Sequence, residues 1–244
     1  MDSGFYAACT GLVSRTEALD TIANNLANAS TVGYRNQHNV FSSVLEQAGP
    51  PGSAVNQAIN NYGLLSGTTL DETQGALQKT GNPLDVAIQG AGFFVAQTAG
   101  GEMYTRNGSL QVSSKGQLIT ASGDAVMGAK GPITLLPGTV SISPDGTISS
   151  NGAVAGKLKV VQFPVGTELT SAGTNYYTAP ASTAKDATNA TVQQGMLESS
   201  NVNPVASMVE LINAQRSAEM MQRALTMFNN EIDKTATQEL PKIG

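Results

Sequence analysis

The larger apolar residues near the start of the chain recur at alternating steps of three and four. The repeat runs through Phe5, Ala8, Leu12, Leu19, Ile22, Leu26 and Ala29, with Arg15 at its one charged position. Such spacing lines one face of an α-helix and is typical of a coiled-coil seam. Asp2 or Ser3 can cap the start, and Gly33 is a suitable stop. The pattern therefore predicts a long N-terminal helix with a single apolar seam.

The other end of the chain carries a second seam of the same kind. Asn203 is suited to an N-cap and Pro204 to the first helical position. The repeat then runs through Leu211, Ala214, Ala218, Met221, Leu225, Phe228 and Ile232. At 1.5 Å per residue the two helices would be roughly 40 and 45 Å long. We therefore expect them to lie side by side.

Between the helices, short runs rich in Val, Ile, Phe and Thr alternate with turn residues. Candidate strands are residues 85–88, 93–97, 117–120, 140–143 and 158–163. Turn dipeptides recur at Asn107-Gly108, Lys115-Gly116, Gly123-Asp124, Pro137-Gly138, Asp145-Gly146 and Asn151-Gly152. Short strands joined by tight turns favour an antiparallel β domain. The predicted class is α+β, with terminal α-helices pairing as a coiled-coil-like helical domain and a central antiparallel β domain.

This pattern divides the chain into five segments. Residues 1–35 form the N-terminal helix, 36–63 a linker, 64–165 the β domain, 166–199 an extended arm with a return strand, and 200–244 the C-terminal helix. Polar, low-complexity sequence at 47–62 and 167–188 indicates linkers or loosely ordered arms.

Composition removes most catalytic chemistry from consideration. The 244 residues include one His, one Cys and only 13% charged residues, with a net charge of −5. Clusters of His or Cys that bind metals are excluded, and so is a disulfide framework. His38 fits a solvated loop and Cys9 fits the flank of a helix seam. We expect no cofactor, no metal and no catalytic residue.

Charge and hydropathy also limit the partners. The 13 basic residues are scattered rather than concentrated, which argues against nucleic acid. The apolar runs are far shorter than the roughly 20 residues of a membrane-spanning helix. The start of the chain lacks the basic and apolar regions of a cleaved signal peptide. The sequence therefore predicts neither nucleic-acid binding nor membrane insertion, and either a cytosolic location or an export route that uses no cleaved signal.

Dispersed carboxylates leave one enzymatic alternative open. Asp71, Glu72, Asp85, Asp124, Asp145 and Glu198 are spread along the chain. A glycosidase needs two carboxyl groups in a defined geometry, which sequence neither shows nor excludes here. Gly90-Ala91-Gly92 is followed by strand-like rather than helical sequence, so it fits a tight turn better than a phosphate loop.

The two seams point instead to assembly. Terminal helices rich in Asn, Ala and Thr are marginal unless packed, and a two-helix hairpin leaves the back of each helix in water. We therefore expect other subunits to cover these helices, which would fold as they assemble.

Three motifs carry a resemblance to a known family. They are residues 18–35 (ALDTIANNLANASTVGYR), residues 84–94 with 104–108 (LDVAIQGAGFF and YTRNG), and residues 195–203 (GMLESSNVN) followed by MVELI at 208–212 and Gln215-Arg216. In this order they resemble the signatures of the bacterial flagellar rod, hook and hook-associated axial proteins. The resemblance spans nearly the whole chain. Ala218 departs from it, because an aromatic residue often follows the Gln-Arg pair.

The resemblance implies a structural subunit of the flagellar basal-body rod and not an enzyme. Residues 1–8, 82–85 (NPLD) and 128–133 (GAKGPI) are most similar to the proximal rod type; the distal rod type is the close alternative and the hook type a distant one. A periplasmic wall-glycan hydrolase is a further, less favoured alternative. The implied partners are copies of the chain, other rod proteins and the flagellar type III export apparatus, which acts without a cleaved signal.

The resemblance also implies where subunits meet. Family members assemble helically in the periplasm, with terminal helices inside and β domains outside, as a shaft that transmits torque. The expected interface residues are those of the two seams together with three asparagines that could set the register between packed helices: Phe5, Ala8, Leu12, Leu19, Ile22, Asn24, Asn25, Leu26, Asn28, Leu211, Ala214, Ala218, Met221, Leu225, Phe228 and Ile232. For Asn28, capping of the helix end is an equally good interpretation.

Overall fold

A computed structural model describes residues 2–42, 64–164, 166–173 and 175–234. The side-chain surroundings of residues 2–8, 10, 41, 42, 64–67, 181, 228, 229 and 231–234 lie outside that description. The expected linker at 47–62 also lies outside the described residues.

Both predicted terminal helices are present. Helix α1 spans Asp2–Ala27 and helix α2 spans Pro204–Lys234. Pro204 is the first residue of α2, as the sequence predicts, because a proline at this position loses no helical hydrogen bond. Helix α1 ends six residues before the predicted stop at Gly33, which instead adopts a left-handed φ of +70° within a turn.

The chain divides into two compact units. Of the described residues, those within Met1–Leu26, Gln37–Thr68 and Pro204–Gly244 form a helical unit, and those within Ala27–Asn36 and Thr69–Asn203 form a β unit. The last residue of helix α1, Ala27, and the nine residues after it therefore group with the strands. No described helix combines the length and the apolarity that a membrane-spanning segment requires.

The helical unit contains α1, α2 and most of a small sheet. Its strands are β1 (Gln37–Ser42) and β2 (Leu64–Leu70), which pair with each other. A Cβ added to Gly11 of α1 would lie 3.2 Å from the terminal methyl of Met221 in α2. The absence of a side chain at Gly11 thus lets the two helices approach at this point.

The β unit contains the predicted antiparallel strands. Its large sheet has the order β15 (Thr170–Ser171), β16 (Tyr177–Thr178), β6 (Gly101–Thr105), β5 (Phe93–Thr98), β9 (Ala125–Gly128), β8 (Leu118–Thr120) and β7 (Leu110–Val112). Strand β10 (Gly131–Pro132) pairs with β9, β14 (Val160–Gln162) pairs with β5, and β17 (Lys185–Asp186) pairs with β14. A short 3₁₀ turn spans Ala181–Thr183.

Three smaller sheets complete the β unit. One contains β11 (Val140–Ile142), β12 (Thr147–Ser150) and β13 (Ala153–Lys157). The other two pair β4 (Val86–Gln89) with β18 (Thr191–Gln194), and β3 (Leu77–Lys79) with β19 (Met196–Glu198). The glycines of the predicted turns at 116, 123, 138, 146 and 152 all have positive φ, as tight turns require.

Alternation along β5 builds two cores. Phe94 packs in a cluster with Ile88, Leu118 and Ile148, whereas Phe93 and Val95 belong to a second cluster with Tyr177. Successive side chains of a strand point to opposite faces, so this one strand contributes to both clusters. Residues 167–188, expected as a linker or loose arm, contain β15–β17 and the buried Leu169 and Tyr177. Two buried large side chains hold this polar stretch against the sheet.

Candidate functional site

A buried ion triad joins three distant parts of the chain. The Glu198 carboxylate lies at the end of β19, with Oε1 2.7 Å from Arg35 Nη2 and Oε2 3.1 Å from Arg106 Nη1. The three residues are only 1–3% exposed. Oε1 also accepts a hydrogen bond of 2.9 Å from the backbone N–H of Gly75. Both carboxylate oxygens are thus engaged within the fold.

Strand ends hold Arg106 in place. It lies just after β6, and its guanidinium donates to the carbonyls of Ile88 (3.3 Å) and Gly90 (2.7 Å). The same group stacks on the ring of Phe93, 5.3 Å from the ring centre. Burial lowers the pKa of Arg106 to about 10, although the nearby charge of Glu198 acts in the opposite direction. The bonds to fixed carbonyls and the cation–π contact offset part of this cost.

Arg35 is fixed at its backbone as well as at its side chain. Its N–H donates to the hydroxyl of Tyr177 at 3.0 Å, and its guanidinium donates to the carbonyl of Thr73. Burial raises the pKa of Tyr177 to about 12, and the hydrogen bond from Arg35 counteracts this in part. Tyr177 therefore remains a neutral hydroxyl well above neutral pH.

Gly33 allows the backbone ahead of Arg35 to enter the β unit. A Cβ at this position would overlap the backbone of Arg106 and Asn107, and its φ of +70° already favours glycine. The N–H of Gly33 donates to the carbonyl of Glu198 at 2.8 Å. The segment after α1 and the segment before α2 are thus hydrogen-bonded neighbours.

Asn201, three residues after Glu198, makes further hydrogen bonds between the same segments of the chain. Its Oδ1 accepts from the N–H of Asn36 at 2.7 Å, and its Nδ2 donates to the carbonyls of Asp71 and Thr73, each at 3.0 Å. One amide side chain therefore ties together residues 36, 71, 73 and 201. We call the ion triad with Gly33, Tyr177 and Asn201 the junction.

The three charged groups of the ion triad depend on one another. Two cations share one anion, so removing Glu198 would leave two uncompensated buried charges. Breaking a buried pair on one side typically costs about 3–5 kcal/mol, although a complete pair contributes much less net stability. The Nε atoms of Arg35 and Arg106 have no hydrogen-bond partner among the described residues, which adds to the cost of burying both groups. The triad fixes geometry more than it adds stability.

All three residues of the triad lie in the family-like motifs of the sequence, but the sequence pattern does not predict that they meet. The available signal was a charged residue among uncharged neighbours: the two residues on each side of Arg35, Arg106 and Glu198 carry no charge. Pairing across such separations depends on strand order, which the sequence pattern did not specify.

Family models match three regions of the chain. Residues 5–35 match the flagella basal body rod protein model, residues 87–154 the flagellar hook protein FlgE/F/G D1 domain, and residues 193–238 the flagellar basal body rod FlgEFG protein C-terminal model. Each region contains one residue of the triad, namely Arg35, Arg106 and Glu198 respectively.

Relatives match the chain along its length. The flagellar basal-body rod protein FlgF of Caulobacter vibrioides is 34% identical, with 100% of both chains covered. The chain belongs to the flagellar basal-body rod protein family. FlgF of Escherichia coli is 37% identical over 94% of this chain and 95% of its own. The basal-body rod protein FlgG of Bacillus subtilis is 31% identical over 91% of this chain and 93% of its own. These matches confirm the resemblance drawn from the three motifs.

The seams of this rod-family chain occupy the less exposed faces of its helices. In α1 the half-buried seam residues are Leu12, Leu19, Ile22 and Leu26; in α2 Leu211, Ala214, Met221 and Leu225 are half-buried and Ala218 is buried. The side chains of Phe5, Ala8, Phe228 and Ile232 lie outside the described residues. The small Ala218 fits its buried position.

The three asparagines differ in their contacts. Asn25 is buried and exchanges two hydrogen bonds with the backbone of Gln37 in β1, at 2.8 and 3.0 Å. Asn24 donates to the carbonyl of Asp20 one turn earlier in α1. Asn28 accepts from both the hydroxyl and the N–H of Thr31. The contacts of Asn25 hold β1 to α1, and those of Asn28 form the turn after the helix.

The other candidates for chemistry have different surroundings. His38 is exposed in β1, and Cys9 is half-buried in α1. Among the described residues, no group of three His, Cys, Asp or Glu side chains is placed to hold a metal ion. Asp124 accepts from the hydroxyl of Tyr176 at 2.7 Å, and Asp145 accepts from Thr147. Glu198 is enclosed by the triad, so its carboxylate is inaccessible to a polymeric substrate.

Proposed function

We propose that this chain is a subunit of the proximal part of the flagellar rod, where its terminal helices form an inner tube and its β unit an outer layer. One observation carries the proposal: the junction fastens both connections to the terminal helices at one place in the β unit. Gly33 bonds Glu198 and Asn36 bonds Asn201, a few residues from the end of α1 and the start of α2. Helices that leave one site together are suited to pairing.

Pairing of the helices is supported within the helical unit. The close approach at Gly11 and Met221 joins the two less exposed faces. We propose that the seam residues continue this contact as a coiled-coil-like pair and contribute to subunit packing. The side chains beyond those described, including Phe5 and Phe228, follow the same repeat and would extend the pair.

The proximal position is supported by sequence identity. The relatives named FlgF are 31–37% identical to this chain and those named FlgG are 29–32% identical, so the two ranges overlap but the higher values belong to FlgF. We assign the FlgF type to the proximal rod and keep the distal rod as the alternative. Export by the type III apparatus and assembly in the periplasm belong to this proposal.

A structural role is consistent with the position of the buried ion pairs between Glu198 and the two arginines. A subunit of a shaft that transmits torque needs a β unit of fixed geometry. At the junction, buried charge and amide hydrogen bonds hold residues 33–36 against residues 198–201 in one arrangement within the β unit. The role proposed for this site is structural, not catalytic.

A charge placed on the seam tests this function. In a bacterium lacking its own protein of this type, the unaltered chain should restore swimming, whereas Leu225→Asp should not. Leu225 is half-buried on the seam, so a carboxylate there would disrupt packing. Asn213→Asp, an exposed position on the same helix, is the matched control and should swim. Circular dichroism should show an intact β unit in both variants; normal swimming of Leu225→Asp would contradict the proposal.

A further inference from the structure

Helix α2 carries a second apolar stripe on its exposed side. Its members are large side chains that are 50–69% exposed: Met208, Val209, Ile212, Met220 and Met227. At about 100° per residue they fall within an arc of roughly 120°. The centre of that arc is about half a turn from the seam formed by Leu211, Ala218 and Leu225. We call this set the outer stripe.

A helix that is apolar on two opposite faces is typical of one packed on both sides. The seam of α2 is already turned toward α1 at Gly11. The outer stripe therefore needs a different surface to cover it. Clustered exposed apolar side chains of this kind mark an interaction site more often than isolated ones do.

Charge distinguishes the kind of surface that fits. Arg216 and Arg223 lie within the arc of the outer stripe, with Glu219 between them, which leaves a net positive charge. A partner with a negative charge beside small or apolar side chains would complement it.

Helix α1 presents such a face. Val13, Thr16 and Asp20 are exposed, and the half-buried Glu17 lies in the same arc. The one cation of α1, Arg15, lies on the opposite side, so this face is acidic. Because it points away from the α1 seam, it remains accessible to another molecule when the seams pair. We call it the acidic face.

We propose that the outer stripe of α2 binds the acidic face of α1 in a second copy of this chain. This inference rests on the proposed rod function and specifies its subunit contact. The contact joins different surfaces of the two copies, so each copy keeps one surface of each kind for the next. Interfaces of this kind extend into open helical arrays when the rotation does not close a ring.

The size of the contact indicates a cooperative assembly. The outer stripe, from residue 208 to residue 227, is about 29 Å long; at a width of about 10 Å it covers roughly 290 Å², about a third of the roughly 800 Å² that each partner buries in a stable complex. An isolated pair of copies would bind weakly. In an array every copy would make the contact twice, which favours assembly at a growing end over pairing in dilute solution.

Cysteine cross-linking in cells tests the contact. In a Cys9→Ser chain, Val13→Cys is combined with Ile212→Cys, Met220→Cys or Met227→Cys, which samples the axial register. We expect a short thiol cross-linker to give dimers and higher multimers for at least one pair. Val13→Cys with Glu210→Cys is the matched control, since the exposed residue 210 is turned about 160° from Ile212, about 80° from Met220 and about 100° from Met227. Its yield should be at least five-fold lower.

Charge reversal provides a second readout. Arg223→Asp and Asp20→Arg should each reduce swimming speed at least two-fold, and the double variant should recover most of the loss. Cross-linking no stronger than the control at every pair, with no recovery in the double variant, would overturn the contact. If the unaltered chain restored swimming in those same cells, the rod function would still stand. Failure of the unaltered chain to do so would count against the rod function itself.

Discussion

Arg35 and Glu198, separated by most of the chain, meet at 2.7 Å in a buried site, where each side chain is 1% exposed. The backbone beside them is paired too, because Gly33 donates to the carbonyl of Glu198. The segment that follows the N-terminal helix, with Gly33 and Arg35, therefore packs in the β unit against the segment that precedes the C-terminal helix, with Glu198. Stability of the β unit should therefore depend on both ends of the chain.

Removing the charge of Glu198 should destabilise the β unit strongly. Glu198→Gln leaves two buried guanidinium groups without an anion, a change that typically costs about 3–5 kcal/mol. Chemical denaturation followed by circular dichroism measures the loss. Glu102→Gln is the control: Glu102 pairs with Lys159 at 3.3 Å on the surface, and such pairs contribute about 0–1 kcal/mol. Equal losses in the two variants would contradict the role given to the triad.

A methyl group at Gly33 should be tolerated much less well than one at Gly152. Both glycines have positive φ, at +70° and +81°, so both alanine variants carry a backbone penalty of about 1–2 kcal/mol. Only at Gly33 would the added Cβ also overlap neighbouring backbone; at Gly152 nothing lies within 4 Å. We expect Gly33→Ala to lose at least twice the unfolding free energy lost by Gly152→Ala. A ratio near one would show that the close approach at Gly33 is unimportant.

Truncation should separate the junction from the helix that follows it. A chain of residues 1–203 keeps Glu198 and Asn201 but lacks α2, whereas residues 1–194 lack both junction residues and β19. We expect slow amide exchange in strand β5 of the longer fragment and a marked loss of protection in the shorter one. Hydrogen exchange with mass spectrometry makes the comparison. Equal protection would mean that the β unit is complete without its C-terminal segment.

Alkaline pH should weaken the fold in part through Tyr177. Its folded pKa of about 12 lies above the ordinary value of 10, so its contribution is fully present below pH 10 and is lost as pH rises through about 12. Arg106, whose pKa is lowered to about 10, acts in the opposite sense above that pH. Tyr177→Phe should therefore flatten the decline of unfolding free energy between pH 10 and 12. An unchanged slope in urea titrations would contradict this assignment.

Local sequence patterns predicted the helices, strands and turns of this fold better than the tertiary contacts between them. The seams, the proline at the start of α2 and the turn glycines follow from rules that act over a few residues. The burial of Tyr177 in a polar stretch did not, since it depends on a strand returning to β6. The triad required the pairing of β19 with β3, which brings residues more than a hundred positions apart together. A charged residue with uncharged neighbours on both sides was the one visible signal.

The most direct test of the account is to locate the chain within the basal body. Electron cryotomography of cells that carry a tagged copy should show extra density on the rod at its proximal part. Cells that lack the chain should have rods that end short of that position, with no hook beyond. Full-length rods and normal swimming without the chain would contradict the central claim that it is a structural segment of this shaft.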